Sequence, residues 1–170
     1  IHSSKKRSVW LGVNLITALI AVYFIGLFEA TLQQKIALAI LMPVVASMGG
    51  IAGTQTLIIV TRGIATGKVT TANIKALINK EVAVSGLNGI IWSLVIGLIT
   101  YYWFSDLLLS LIIALAIITN LIVAAFSGAF LPLLLSKLRI DPALAGGVIL
   151  TTITDVIGFV AFLGLAALFI

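Results

Sequence analysis

The stretch LITYYWFSDLLLSLIIAL, residues 98–115, decides the fold, because two long apolar runs meet there with only Ser105 and Asp106 between them. A helix crosses the hydrocarbon core of a bilayer with about 20 apolar residues, and each of these runs is longer than that. A gap of two residues is too short to cross a membrane, so the first run must end and the second begin on the same side of it. The stretch therefore predicts two antiparallel transmembrane helices joined by a tight turn.

The rest of the chain has the same character, with 62% hydrophobic and 9% charged residues in a length of 170. A soluble domain carries about a quarter of its residues as charged side chains. Here the charges are confined to short gaps between apolar runs, which is typical of a polytopic membrane protein. We predict an all-α fold, one domain over residues 1–170, with five spans at about residues 9–28, 36–61, 82–104, 107–135 and 142–170.

The longest polar segment is the loop at residues 62–81. Its later part predicts a short helix with Ile74, Leu77 and Ile78 on one face. Such a helix would lie at the membrane interface or serve as a simple connector; the alternative is a regulatory contact.

The basic residues predict the orientation in the membrane, because Lys and Arg favour the cytoplasmic side. Nine of the ten share one side, and only Lys35 lies on the other. We therefore expect an integral protein of a bacterial inner membrane, with the N-terminus cytoplasmic and the C-terminus outside. The basic residues do not gather on one folded surface, so nucleic acid is not an expected partner, whereas anionic membrane lipid is.

The composition also argues against an enzyme. The chain has no cysteine, and His2, its one histidine, lies in the N-terminal tail. No pairing of a nucleophile with a base and no phosphate-binding loop is present in the sequence. We expect a protein without catalytic residues.

The most informative residue is Asp155, which lies 13 residues after Pro142 and therefore about 20 Å along the last predicted helix. An aspartate at the centre of a span costs about 2.5–3.5 kcal/mol on insertion scales. No Lys or Arg occurs within any predicted span, so a proton, water or a bound cation must offset the carboxylate. The alternative is an aspartate that only holds helices together by hydrogen bonds.

Small and polar residues surround this aspartate at helical spacing, on a face that could line a wet channel or admit another helix: Gly147, Thr151, Thr154 and Gly158. The second span has a similar character. Pro43 predicts a kink there, and Gly49 with Gly53 forms a GxxxG pair that favours close helix packing. We predict that the polar and small residues of this span line a pore (Ser47, Gly50, Gly53, Thr54 and Gln55) and that Asn88 and Asn120 contribute to a polar interior.

The available ligand atoms are all oxygens, which suits hard divalent cations such as Mg²⁺, Ca²⁺ or Mn²⁺. One carboxylate per chain is sparse for a bare ion but adequate for a hydrated one. Two Asp155 side chains facing each other would repel unless a cation lay between them. This coupling predicts a homodimer.

Three motifs in order resemble the transmembrane domain of the MgtE magnesium channels: MPVVASMGGIAGTQTLIIVTRGIATG at residues 42–67, DPALAGG at 141–147 and TTITDVIGF at 151–159. The resemblance implies a homodimer of five-helix subunits, with the ion path at the dimer interface between the second and fifth helices. It implies that Asp155 binds hydrated Mg²⁺ and that the backbone carbonyl of Thr151 assists. It also implies permeability to Co²⁺, Mn²⁺ or Ni²⁺.

The sequence departs from the family pattern in two places. The second helix of the family carries G-G-N-A-G, and Ile51 replaces the asparagine here, so no role of that residue is carried over. Many members have cytoplasmic regulatory domains before the first helix, which sense Mg²⁺ and close the pore. Only residues 1–9 precede the first span here, so we expect either a fragment or a chain that lacks this sensor.

The expected function is conduction of Mg²⁺ down its electrochemical gradient. Two alternatives stay open at the level of sequence. A proton-coupled secondary transporter would cycle Asp155 through protonation, with alternating access. A non-conducting membrane scaffold would use Asp155 and the small residues for assembly alone.

Overall fold

A computed structural model describes the backbone of residues 2–70 and 72–170, and the side chains from residue 8 onward within these ranges. The described residues form six helices and no strand. Their bounds are α1 His2–Gly26, α2 Glu29–Gln34, α3 Ile36–Ala65, α4 Ile74–Phe104, α5 Leu107–Lys137 and α6 Pro142–Phe169. Five of them, all but the short α2, are long and apolar enough to cross a membrane. The prediction of an all-α protein with five spans is confirmed.

The hairpin predicted from the opening stretch is the junction between α4 and α5. Ser105 ends α4 in a left-handed conformation (φ 50°), and the carboxylate of Asp106 caps α5 by accepting a hydrogen bond from the backbone N–H of Leu109 (2.9 Å). The same carboxylate pairs with the Lys35 ammonium, which precedes α3. The ion pair joins the end of the hairpin to the start of α3, at the side of the molecule opposite the basic loop.

Helix α5 is the centre of the bundle and packs against α3, α4 and α6. In the most apolar segment of α5, 50% of the residues are buried. In that of α1, which contacts α6, only 6% are buried. Helix α4 packs on α5 and hardly touches α3, so a groove opens between α3 and α4. The outward faces of α1 and α4 expose large apolar side chains, such as Leu15 and Leu98, as a surface in contact with lipid would.

Small residues bring α3, α5 and α6 close together around one buried amide. Asn120 of α5 is fully buried and donates from Nδ2 to the backbone carbonyl of Val45 (2.9 Å). Its carboxamide lies between Gly49 and Gly158, where a Cβ added to Gly158 would come within 2.6 Å of Nδ2 and one added to Gly49 would collide with the same amide. The expectation that Asn120 belongs to a polar interior matches this placement.

The structure differs from the predicted boundaries at the basic loop. Helix α3 continues to Ala65, and α4 already begins at Ile74. The short separate helix predicted for this loop is instead the beginning of α4. A helix of 31 residues is about 46 Å long and exceeds the roughly 30 Å of hydrocarbon, so we expect the ends of α3 and α4 to extend beyond the apolar layer of a membrane. The sequence also did not predict α2, a helix of 6 residues between the first two spans.

Candidate functional site

A shallow, open groove with a largely apolar surface runs along α3 beside α6. Its volume is about 370 Å³. Its lining includes Ser47, Gly50, Thr54 and Gln55 of α3 together with Thr151 of α6. The structure thus brings five of the predicted pore-lining and metal-binding residues to one surface. Ile51, the departure from the family pattern, lines the same groove and is 58% exposed.

Asp155 lies one helical turn beyond Thr151 on α6, outside the lining of this groove. It is partly exposed, and it makes no ion pair with any side chain in the described ranges. The described residues also contain no cluster of three or more His, Cys, Asp or Glu side chains that could hold a metal ion. Among the side chains that the structure describes, the carboxylate therefore has neither a counter-ion nor a set of acidic co-ligands.

The hydroxyl groups near Asp155 are used by the helix itself. Thr151 Oγ1 donates to the carbonyl of Gly147 (3.0 Å), and Thr154 Oγ1 donates to the carbonyl of Thr151 (3.1 Å). The Thr151 carbonyl, which the resemblance assigns to the cation, thus already accepts from a hydroxyl. A carbonyl oxygen has a second lone pair, but within a helix this lone pair accepts a hydrogen bond from the backbone N–H one turn later. Assistance by this carbonyl stays a prediction.

The structure divides the predicted pore-lining residues into two groups. Gly50 and Gly147 are open, since a Cβ added to either would meet nothing within 4 Å. The other group, made of Gly53, Thr154 and Gly158, is buried within the subunit among α3, α5 and α6. In this structure these three residues serve helix packing, as Gly49 does, and a part in lining a pore stays a prediction for them.

Two further residues lie outside the interior of the bundle: Asn88, predicted for a polar interior, and Pro43, predicted to kink the second span. Both are exposed in the subunit. Asn88 lines the groove between α3 and α4, a cavity of about 350 Å³. Pro43 lies within α3 without ending it.

One acidic residue in that second groove was not predicted from the sequence. Glu81, expected at the end of the basic loop, is only 9% exposed and lines the groove with Gln55, Ser85 and Asn88. The signal that could have found it is a repeat of four residues, since Glu81, Ser85, Gly89 and Ser93 follow one another on the buried side of α4. That spacing shows that the buried face of α4 begins before its apolar span.

Comparison with known protein families identifies the family of this chain. The sequence profile of MgtE, described as "Divalent cation transporter", matches residues 42–165. This range includes most of α3 and most of α6, with Asp155. The chain belongs to the MgtE family. A family of transporters confirms the interpretation of the chain as an integral membrane protein that is not an enzyme.

Curated relatives in the MgtE family carry the name "Magnesium transporter MgtE". The protein of Bacillus subtilis is 35% identical over 165 residues, which are 97% of this chain and 37% of the relative. The protein of Thermus thermophilus is 31% identical over 163 residues, 95% of this chain and 36% of the relative. That of Enterococcus faecalis is 28% identical over 169 residues, 99% of this chain and 37% of the relative. The chain thus spans a little over a third of the length of these relatives.

Proposed function

We propose that this chain is the pore-forming unit of a divalent-cation channel that conducts hydrated Mg²⁺ as a homodimer. The ion path lies between two subunits, lined by α3 and α6 of each. Asp155 of both chains binds the ion through its water ligands. The observation that carries the proposal is the Asp155 carboxylate near the middle of α6, in a family of divalent cation transporters. It has no ion-pair partner among the described residues and lies beside the open groove of α3 and α6.

The dimer follows from charge and surface. One subunit offers the ion a single carboxylate, and an isolated charge inside a membrane is costly. A twofold arrangement supplies a second carboxylate, and a divalent cation neutralises both. The open glycines Gly50 and Gly147 allow two such faces to approach closely, because their backbones carry no side chain.

The ion of this proposal keeps its first hydration shell. Mg²⁺ releases its water reluctantly and is bound in this way in many proteins. The groove of one chain is open and offers few polar atoms, so the ion path would be enclosed only by the faces of two chains. Mn²⁺, Co²⁺ and Ni²⁺ are further permeant ions of this proposal.

The driving force requires no nucleotide. With the nine basic residues on the cytoplasmic side, the N-terminus is cytoplasmic and the C-terminus outside, in the inner membrane of a bacterium. A membrane potential of 100 mV favours inward movement of one charge by about 2.3 kcal/mol, and of a divalent ion by about twice that. Cytoplasmic domains of a longer protein would then be regulators of the pore rather than its source of energy.

Uptake by reconstituted protein tests the proposal. The purified chain in liposomes with an Mg²⁺-sensitive dye inside should show uptake driven by an inside-negative potential. Asp155→Asn should reduce the initial rate at least about tenfold, because loss of the charge removes the attraction for the cation. The matched control is Glu29→Gln, which changes an exposed carboxylate on α2 in the same way and should leave the rate unchanged. Native rates for Asp155→Asn would refute the role of the carboxylate.

A second arm separates the channel from a proton-coupled transporter. With the potential clamped at zero, an imposed pH gradient should not drive Mg²⁺ uptake. Uptake that follows the pH gradient under the clamp would instead favour proton coupling. Absence of uptake in a chain that remains dimeric would favour a scaffold.

A further inference from the structure

A cavity at the basic end of the molecule lies between the end of α3 and the start of α4. Its volume is about 620 Å³, and three basic side chains line it: Arg62, Lys68 and Lys80. No carboxylate belongs to its lining, and none of the three basic groups makes an ion pair within the described part of the chain. We call this cavity the basic pocket. It gathers three basic side chains in one concave surface, which differs from the prediction that the basic residues do not gather on one folded surface.

The segment that carries Lys68 has a defined backbone conformation. Helix α3 ends in a Schellman motif, in which the backbone N–H of Lys68 donates to Gly63 O (2.9 Å) and that of Gly67 donates to Ile64 O (3.1 Å). Gly67 adopts φ 68°, a conformation that glycine takes at no steric cost. The chain therefore turns sharply after α3 and brings Lys68 back beside Arg62.

A side-chain bridge holds the following residues in place. Asn73 Nδ2 donates to the carbonyl of Lys68 (2.7 Å), and Asn73 Oδ1 accepts from the backbone N–H of Thr70 (2.8 Å). Gly63 leaves room for the side chain of Val69, with which a Cβ at that position would collide. The described residues of the turn between α3 and α4, including Lys68 of the basic pocket, are thus held by defined hydrogen bonds.

The position of the pocket along the helices indicates its surroundings. Helices α3 and α4 are longer than the hydrocarbon layer is thick, so we expect their basic ends, with Arg62 and Lys80, to reach the lipid headgroups. Apolar side chains complete the lining, among them Ile59, Val69 and Leu77. Ile59 lies one turn deeper on α3 than Arg62 and is 52% exposed, so an apolar surface leads from the pocket along the helix towards the membrane core.

These features together fit an amphiphilic anion. Basic pockets between transmembrane helices on the cytoplasmic side bind the headgroups of anionic lipids. Phosphate oxygens accept hydrogen bonds from Arg and Lys, and an acyl chain would lie against Ile59. We propose that the basic pocket is a binding site for the phosphodiester headgroup of an anionic phospholipid. Free inorganic phosphate has the same acceptor oxygens, but it has no apolar part that could pack against Ile59.

Lipid retention in native mass spectrometry tests the site on the purified chain. Protein in detergent is mixed with phosphatidylglycerol or phosphatidylcholine at equal mole fraction, and the bound lipid is counted. We expect preferential retention of phosphatidylglycerol, about tenfold or more. Each removed basic group should weaken binding about fivefold. The variant Arg62→Gln/Lys68→Gln/Lys80→Gln should therefore lose the preference.

The chain offers a closely matched control. Arg139, Lys75 and Lys137 lie at the same end of the molecule, are exposed, and do not line the basic pocket. The variant Arg139→Gln/Lys75→Gln/Lys137→Gln removes one arginine and two lysines from the same side, and it should retain the lipid within about twofold. Equal losses in both triple variants would mean general charge attraction and would overturn the site.

Two further arms complete the test. If the pocket variant is not monodisperse and helical, Lys68→Gln alone is used, since Lys68 is exposed and lies outside the helices; its expected loss is about fivefold. Inorganic phosphate at about 10 mM, within the millimolar range of weak anion binding, should not displace phosphatidylglycerol. Displacement by phosphate, or equal retention of the two lipids by the native chain, would refute a phospholipid site.

Discussion

At the scale of single residues, Asn120 and Asp155 show two different uses of polarity within a membrane. Asn120 is fully enclosed and bonded to the backbone of α3, so its polarity serves the packing of three helices. Asp155 is partly exposed and has no charged partner within the described subunit. A group of the second kind needs something from outside the subunit, which is why the functional proposal rests on it.

The contact around Asn120 makes a prediction for two neighbouring substitutions. Gly49→Ala should destabilise the protein by about 1–3 kcal/mol, because the added methyl group collides with the Asn120 carboxamide. Gly86→Ala is the control, since a Cβ there meets nothing within 4 Å and alanine favours helix over glycine. Thermal unfolding in detergent measures both. Equal melting temperatures for Gly49→Ala and the native chain would contradict this view of the core.

At the scale of the elements, the sequence could predict the five spans because each apolar run is bounded by charged or turn residues. Asp106 and Asp141 mark the starts of α5 and α6 well, since both carboxylates cap their helices. The beginning of α4 was missed because residues 74–81 are polar on the outer side and only their buried side belongs to the bundle. A hydropathy average over consecutive residues combines the outer and inner sides of the helix, so it does not show that the inner side already packs on the bundle.

The division of the α6 face could not be predicted for a related reason. Successive residues of a helix differ by about 100° in direction, so Thr154 and Asp155 face clearly different neighbours. The sequence shows that both belong to a small, polar side of α6. It does not show where α5 lies, and that position buries Thr154 and leaves Asp155 partly exposed.

The cap of α5 makes a prediction about pH. The backbone N–H of Leu109 and then the Lys35 ammonium hold the pKa of Asp106 below its ordinary value of 3.8. The carboxylate therefore stabilises the fold above pH 3.8, and this contribution is lost as the pH falls through the lower, folded-state pKa.

Thermal unfolding between about pH 2 and pH 6, a range that spans ordinary carboxyl pKa values, measures this contribution. Asp106→Ala should lower stability at pH 6 by about 1 kcal/mol through loss of the cap, with a smaller difference from the native chain at the acid end. A difference that stays constant down to pH 2 would show that the charge of Asp106 does not contribute.

At the scale of the whole molecule, the chain leaves the groove beside α3 and α6 open, and the proposed homodimer would close it. The chain has no cysteine, so single cysteines report proximity without background. Thr54→Cys, in the groove, should form disulfide-linked dimers under mild oxidation. Leu98→Cys is the control, since Leu98 is 70% exposed on the outward face of α4 and should remain monomeric on a non-reducing gel. Crosslinking at Leu98 but not at Thr54 would place the interface elsewhere.

The most direct test of the central claim is the location of bound metal. Crystals of the chain grown with Mn²⁺, measured at the manganese absorption edge, report the position of the ion. We expect one anomalous peak for each pair of chains, on a twofold axis between the two Asp155 carboxylates and separated from them by water. Two Asp155 side chains that face away from each other, with no peak along the axis, would contradict the account.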